Sequence, residues 1–289
     1  MRKSVLCPTL ALGLGALAAV LRMWQHSAYD GSGLPVPFAV PSLLLAAFLG
    51  MCAGGFLYLA LKQPKALADQ KPALPRGSRA SGLYTGAGVL VLAGGALNLL
   101  DFFRSYLTFS QTLYAYQYER QEALRAFLSS SLMTGVVALA SVPTAAALLL
   151  RARLVREGTE PKPFAVMMPS IFCWLWLIKD FRQHTSNPIL WDYVLLLLAI
   201  VALLISAYER AGFAFGVGKP RRTVFTSLAS LLLAVAALPD CGGPANALTL
   251  LALAAVTFAE LEALLSALEL APAETETPNS IRQEDAPHE

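Results

Sequence analysis

Charged residues are scarce in this chain of 289 residues. Asp, Glu, Lys and Arg make up 14% of it, whereas 56% is apolar and the mean hydropathy is +0.56. Soluble globular domains contain about 25% charged residues, because charge is needed to cover their surface. The shortage of charge excludes a soluble enzyme, a disordered chain and a disulfide scaffold, and it predicts a polytopic membrane protein.

Motifs of catalysis and cofactor binding are also missing. The chain contains no H-E-x-x-H, G-x-S-x-G or C-x-x-C pattern, and its four cysteines are far apart in sequence. We therefore predict no cofactor and no bound metal, and we favour a protein without enzymatic activity.

Eight stretches of 16 to 31 residues contain no Asp, Glu, Lys or Arg. A helix needs about 20 apolar residues to cross a bilayer, and the runs lack the alternation of barrel strands. We predict an all-α transmembrane bundle of about eight helices in residues 1–270, and a disordered acidic tail at 271–289. The predicted spans are approximately 4–24, 36–61, 80–101, 126–150, 163–182, 189–208, 223–239 and 244–268.

Sixteen of the 22 Lys and Arg lie in the N-terminus, the loops 62–79, 151–162 and 209–222, and the tail. Cytoplasmic loops are enriched in basic residues, so both termini are predicted to be cytoplasmic. The distribution fits orientation signals in a lipid bilayer and does not indicate nucleic-acid binding. Short loops and the absence of N-x-S/T sequons favour the cytoplasmic membrane of a bacterium.

The first apolar segment has two interpretations. Arg2 and Lys3, an apolar run and Ala16-Leu17-Ala18 together resemble a cleaved signal peptide. The run extends to about 20 residues, which favours a retained first helix.

Three further patterns predict local structure. The tyrosine-rich loop 101–125 is typical of an aromatic belt, with an interfacial helix over about 112–127 or a short strand, and a lid or docking surface is the alternative. Gly50–Gly54 and Gly82–Gly86 predict close packing of helices within the bundle. Glu260, Glu262 and Glu269 alternate with leucines, which predicts that the last helix continues past the membrane as an amphipathic extension.

Polar residues concentrate at the predicted outer ends of the helices. Those on the third helix are spaced by three, so they share one face. We predict a charged pocket facing outward, and ordinary helix-end charges paired locally are the simpler alternative. A metal site from His26, Asp30, Asp180 and His184 is a weaker hypothesis. The candidate pocket residues are Asn98, Asp101, Arg104, Lys179, Asp180, Arg182, His184 and Asp192.

These patterns support a small permease or a solute-binding membrane component, with a small molecule as its ligand. The alternative is a non-catalytic interaction or assembly subunit with a membrane protein as partner. A membrane enzyme using a metal or an activated base near His184 is a third hypothesis. No Asp, Glu, Lys or Arg is predicted in the middle of the membrane, which disfavours an ion-coupled transporter.

Overall fold

A computed structural model of the chain describes residues 3–29, 39–64, 78–115, 121, 124–125, 127–128, 131–159, 162–184 and 193–270. These residues form eight long helices and a short 3₁₀ turn, Leu238–Asp240. The protein is an all-helical membrane bundle, as predicted from the charge-free stretches. The helices are α1 Lys3–Ser27, α2 Val40–Leu61, α3 Ser78–Ala115, α4 Leu132–Glu157, α5 Pro163–His184, α6 Val194–Ala214, α7 Pro220–Ala236 and α8 Pro244–Leu270.

Seven of these helices are long and apolar enough to cross a membrane. The other is α7, whose 17 residues are about 26 Å long. It is surrounded by α1, α2, α6 and α8, so most of its surface contacts protein. Prolines at the first residue of α5, α7 and α8 begin these helices without loss of a backbone hydrogen bond.

The first and last helices meet at one end of the bundle. The backbone N–H of Ser4 donates to Glu269 Oε1 at 3.0 Å. We call this the terminal end; α1 ends and α8 begins at the opposite end. The acidic tail 271–289 lies outside the described residues.

Helix α8 is the centre of the bundle. It packs against α1, α3, α6 and α7, and 67% of its most apolar window is buried, compared with 22% for α2. Most of the surface of α8 therefore contacts other helices, and α2 lies at the periphery.

Close helix contacts occur at glycines other than those predicted. A Cβ at Gly94 would lie 2.6 Å from Thr249 Oγ1, and a Cβ at Gly95 would lie 2.6 Å from Ser141 Cβ. These two adjacent glycines let α3 approach α8 and α4 together. In contrast, the Cβ positions of Gly50, Gly54, Gly82 and Gly86 meet no atom within 4 Å. The predicted packing role of those two pairs within the bundle is wrong, because they face outward.

Helix α3 is longer than its predicted span. It continues from Asp101 to Ala115, and Phe127 and Leu128 are helical too. The Phe127 ring stacks on Phe109 with centroids 4.8 Å apart. The described residues of the 101–125 loop are thus helical rather than extended, since an uninterrupted helix pairs their backbone groups internally.

Candidate functional site

A cavity of about 930 Å³ lies at the end of the bundle opposite the chain termini. It is bordered by α3, α4, α5 and the turn that leads into α8. Five of the eight predicted pocket residues line it: Asn98, Asp101, Lys179, Arg182 and His184. These five residues come from two helices, α3 and α5.

Lys179 is the central cation of this cavity. Its side chain is buried, and Nζ donates to Asn98 Oδ1 at 3.0 Å and to Asn246 Oδ1 at 3.2 Å. Both acceptors are neutral amide oxygens, so they solvate the ammonium group without cancelling its charge. These bonds join α5 to α3 and α8.

The two amides are themselves held in place. Asn98 Nδ2 donates to the carbonyl of Gly94 at 3.1 Å, and Asn246 Nδ2 donates to the carbonyl of Cys241 at 3.0 Å. The oxygens must then point toward Lys179, because each amide nitrogen is already committed to a carbonyl. Trp176 Nε1 adds a third bond to Asn246, at 3.2 Å from Oδ1.

Asn246 was missed in the sequence prediction. It stands in the apolar stretch that begins α8, between Ala245 and Ala247, where no charged residue shares its helix face. The available signal was its position as an amide near the start of a spanning helix, where burying an unpaired polar group is costly.

Asp180 lies deeper than Lys179. Its side chain is fully buried, and neither carboxylate oxygen has a hydrogen-bond donor among the described residues. Its nearest ionic neighbour is His184, whose Nδ1 lies 3.6 Å from Oδ2. His184 Nδ1 also lies 2.9 Å from the Asp180 carbonyl oxygen. Because a carbonyl only accepts, this bond places the imidazole proton on Nδ1 and leaves Nε2 as the basic nitrogen.

Two further predicted pocket residues, Arg104 and Asp192, are not among the described residues that line the cavity. Arg104 contacts Asp101 at 3.7 Å, but its side chain is 80% exposed and it does not line the cavity. The structure places Arg104 at the surface beside the cavity, because the helix turn beyond Asp101 carries it outward. Asp192 lies outside the described residues.

A buried ion pair lies at one side of the cavity. Asp240 lines the cavity and accepts from Arg22 Nε at 2.9 and 3.0 Å and from His26 Nε2 at 2.9 Å. This pairing fixes the end of α1 against the 3₁₀ turn. His26 and His184 therefore belong to separate carboxylates, and no three His, Cys, Asp or Glu side chains in the described ranges form a metal-binding group. Asp30 lies outside those ranges.

The largest buried charge cluster is at the terminal end. Glu260 on α8 pairs with Arg151 on α4, and its Oε2 lies 2.8 Å from Arg210 Nε on α6. Tyr84 on α3 donates to Glu260 Oε1 at 3.2 Å and accepts from Arg151 Nη2 at 3.1 Å. The side chains of Glu260, Arg151 and Arg210 are at most 10% exposed.

This Glu260 cluster corrects two predictions. Glu260 does not lie on a solvent-facing extension of α8, and ionised groups are buried inside the bundle. Leu261, Leu264 and Leu265 are buried too, so several faces of α8 contact protein here. The periodicity of the glutamates indicated an amphipathic helix, but two arginines from other helices compensate the Glu260 charge.

The chain matches no protein-family model, no curated protein and no solved structure. Its function must be inferred from the chemistry of the cavity and of the buried clusters.

Proposed function

We propose that the protein is a small permease or solute-binding membrane component whose cavity binds a small polar solute. The observation that carries this proposal is Lys179, a buried cation held at the cavity by amides from two other helices. The cavity volume of about 930 Å³ is in the range of small-molecule sites.

The cavity chemistry favours a solute that carries a carboxylate. A lysine ammonium has three N–H donors, and two of them point to Asn98 and Asn246. The third remains for a ligand oxygen. Arg182 adds a second cation at the cavity, and Asp101 on the opposite helix suits an amino group. Amino acids and small carboxylates therefore fit best.

We also propose the orientation and location of the protein. The excess of Lys and Arg at the terminal end supports a cytoplasmic position for both termini. The cavity then opens to the outer face of the membrane. The short loops support the cytoplasmic membrane of a bacterium.

Solute binding is testable by thermal stabilisation of the purified protein in lipid nanodiscs. The probes are glycine, alanine, glutamate, lactate and succinate, with choline and glucose as compounds without a carboxylate. We expect at least one carboxylate to raise the unfolding temperature. Replacing Lys179 by methionine should weaken the apparent affinity for that compound about tenfold or more, since it removes a charge-assisted hydrogen bond.

Arg104→Gln is the matched control, because Arg104 is a cation near the same helix end but outside the cavity. It should leave the affinity unchanged. Stabilisation by no carboxylate, or equal affinities for wild type and Lys179→Met, would contradict the proposal. Uptake of the stabilising compound by proteoliposomes then separates a permease from a binding component.

The alternative function, an interaction or assembly subunit, is favoured by one observation. The peripheral helix α2 has Gly50, Gly54 and Gly55 with no atom near their Cβ positions, so a helix of another membrane protein could pack there. Replacing Gly54 by phenylalanine should then release a co-purifying partner. Native mass spectrometry showing only the single chain before the substitution would argue against this alternative.

A further inference from the structure

Asp180 is a fully buried carboxylate without a hydrogen-bond donor, and among the described residues no other carboxylate has this property. It lies beside His184, which lines the cavity. Lys179 does not neutralise Asp180 by direct contact, because its ammonium group is bound to Asn98 and Asn246. A buried charge without a partner is costly, and adding a proton removes that charge.

We propose that Asp180 is a proton-binding site of the cavity and that His184 is its relay. The proposed function would then include proton coupling, with solute and proton binding at adjacent groups. This extension rests on the proposed function, but the protonation of Asp180 can be measured without a solute.

The geometry provides a path for the proton. Asp180 has no exposed surface, whereas the His184 side chain is 30% exposed and lines the cavity. A proton from cavity water binds Nε2. The Nδ1–H then turns from the Asp180 carbonyl, 2.9 Å away, to Asp180 Oδ2, 3.6 Å away, and the imidazolium releases this proton to the carboxylate. The products are a neutral imidazole protonated on Nε2 and a neutral carboxylic acid, so one proton enters and none is lost. Stacking on Tyr193, with centroids 4.6 Å apart, keeps the ring beside Asp180.

Other charged groups near Asp180 are already partnered or neutral. Lys179 and His184 act on it from α5 itself. Cys241 faces it from the turn before α8, and Asp240 in the same turn is paired with Arg22 and His26. Burial raises the pKa of the Cys241 thiol to about 12, so this group carries no charge at neutral pH. From α3, Asp101 acts on Lys179.

Infrared difference spectroscopy tests the proposal on the full chain in nanodiscs. Between about pH 8 and about pH 5, we expect a carboxylic acid C=O band to grow as protons bind. Labelling aspartate with ¹³C should shift this band in the wild type, which separates it from Glu260 without any substitution. The band should vanish in Asp180→Asn and persist in Asp101→Asn, whose carboxylate is exposed.

The relay is tested by proton-uptake kinetics after a pH jump, followed with a soluble pH dye. His184→Gln keeps an amide N–H donor but cannot accept a proton, so uptake by Asp180 should slow by about tenfold or more. Lack of an aspartate band in the wild type, or its persistence in Asp180→Asn, would overturn the proton site. An unchanged rate in His184→Gln would overturn the relay. If the Asp180 band is present but no solute stabilises the protein, the proposed function is rejected and the proton site is retained.

Discussion

Replacing Glu260 by glutamine is expected to lower the unfolding temperature of the protein by about 10 °C. The substitution leaves Arg151 and Arg210 buried without a carboxylate, and removing one member of a buried ion pair costs about 3–5 kcal/mol. For a chain of this size, each kcal/mol corresponds to about 2–4 °C. The measurement is thermal unfolding in nanodiscs, followed by intrinsic fluorescence.

Glu262→Gln is the control for this prediction. It makes the same chemical change two residues further along α8, where the carboxylate is 24% exposed and lies 3.7 Å from Arg79. An exposed pair contributes about 0–1 kcal/mol, so the unfolding temperature should change little. Equal effects of the two substitutions would show that the Glu260 charge is not needed for stability.

The members of the Glu260 cluster are expected to contribute unequally to the stability of the protein. It contains two guanidinium groups and one carboxylate, and Arg210 Nη1 has no acceptor among the described residues. Arg210→Met removes the excess charge and leaves the Arg151–Glu260 pair balanced. We expect a change within about 1 kcal/mol, much smaller than that of Glu260→Gln. A loss as large as that of Glu260→Gln would contradict this account of the charge balance.

Replacing Gly95 by alanine is expected to have the second-largest effect. The new methyl group would collide with Ser141 Oγ and lie 2.6 Å from Ser141 Cβ. Separating α3 from α4 to make room should cost about 1–3 kcal/mol. Because Asn98 lies one turn further along α3, we also expect weaker binding of any stabilising solute.

A second substitution tests the cause of that loss. Ser141→Gly removes both atoms that the alanine would meet, so the double variant should be more stable than Gly95→Ala alone. This recovery of stability would show that the two positions are energetically coupled. Gly86→Ala is the control, since its Cβ meets no atom within 4 Å. A double variant that is less stable than Gly95→Ala would contradict a steric cause.

Local features of the sequence predicted the fold well. Helix number and order follow from the lengths of the charge-free stretches, because a helix in lipid must pair its backbone within a single segment. Local sequence features also pointed to several residues that line the candidate cavity. Asn98 and Asp101 share a helix face, and Lys179 through His184 lie at one helix end, so only the approach of these two ends remained to be determined.

The partners of these residues could not be predicted in the same way. Lys179 bonds to residues 81 and 67 positions away, and no periodicity relates such distances. The G-x-x-x-G pattern predicted the wrong contacts, since small residues permit close packing without specifying which helix approaches. Gly94 and Gly95 were overlooked for the same reason.

The sequence by itself determined that this is a membrane protein of about eight helices with polar residues gathered at one set of helix ends. Only the tertiary structure decided which charges are buried together. Hydropathy depends on the composition of each segment, whereas burying Glu260 or Lys179 depends on the groups that other helices bring to it. Since α8 packs against four helices, its Asn246 and its Glu260 each meet charged groups that other helices supply.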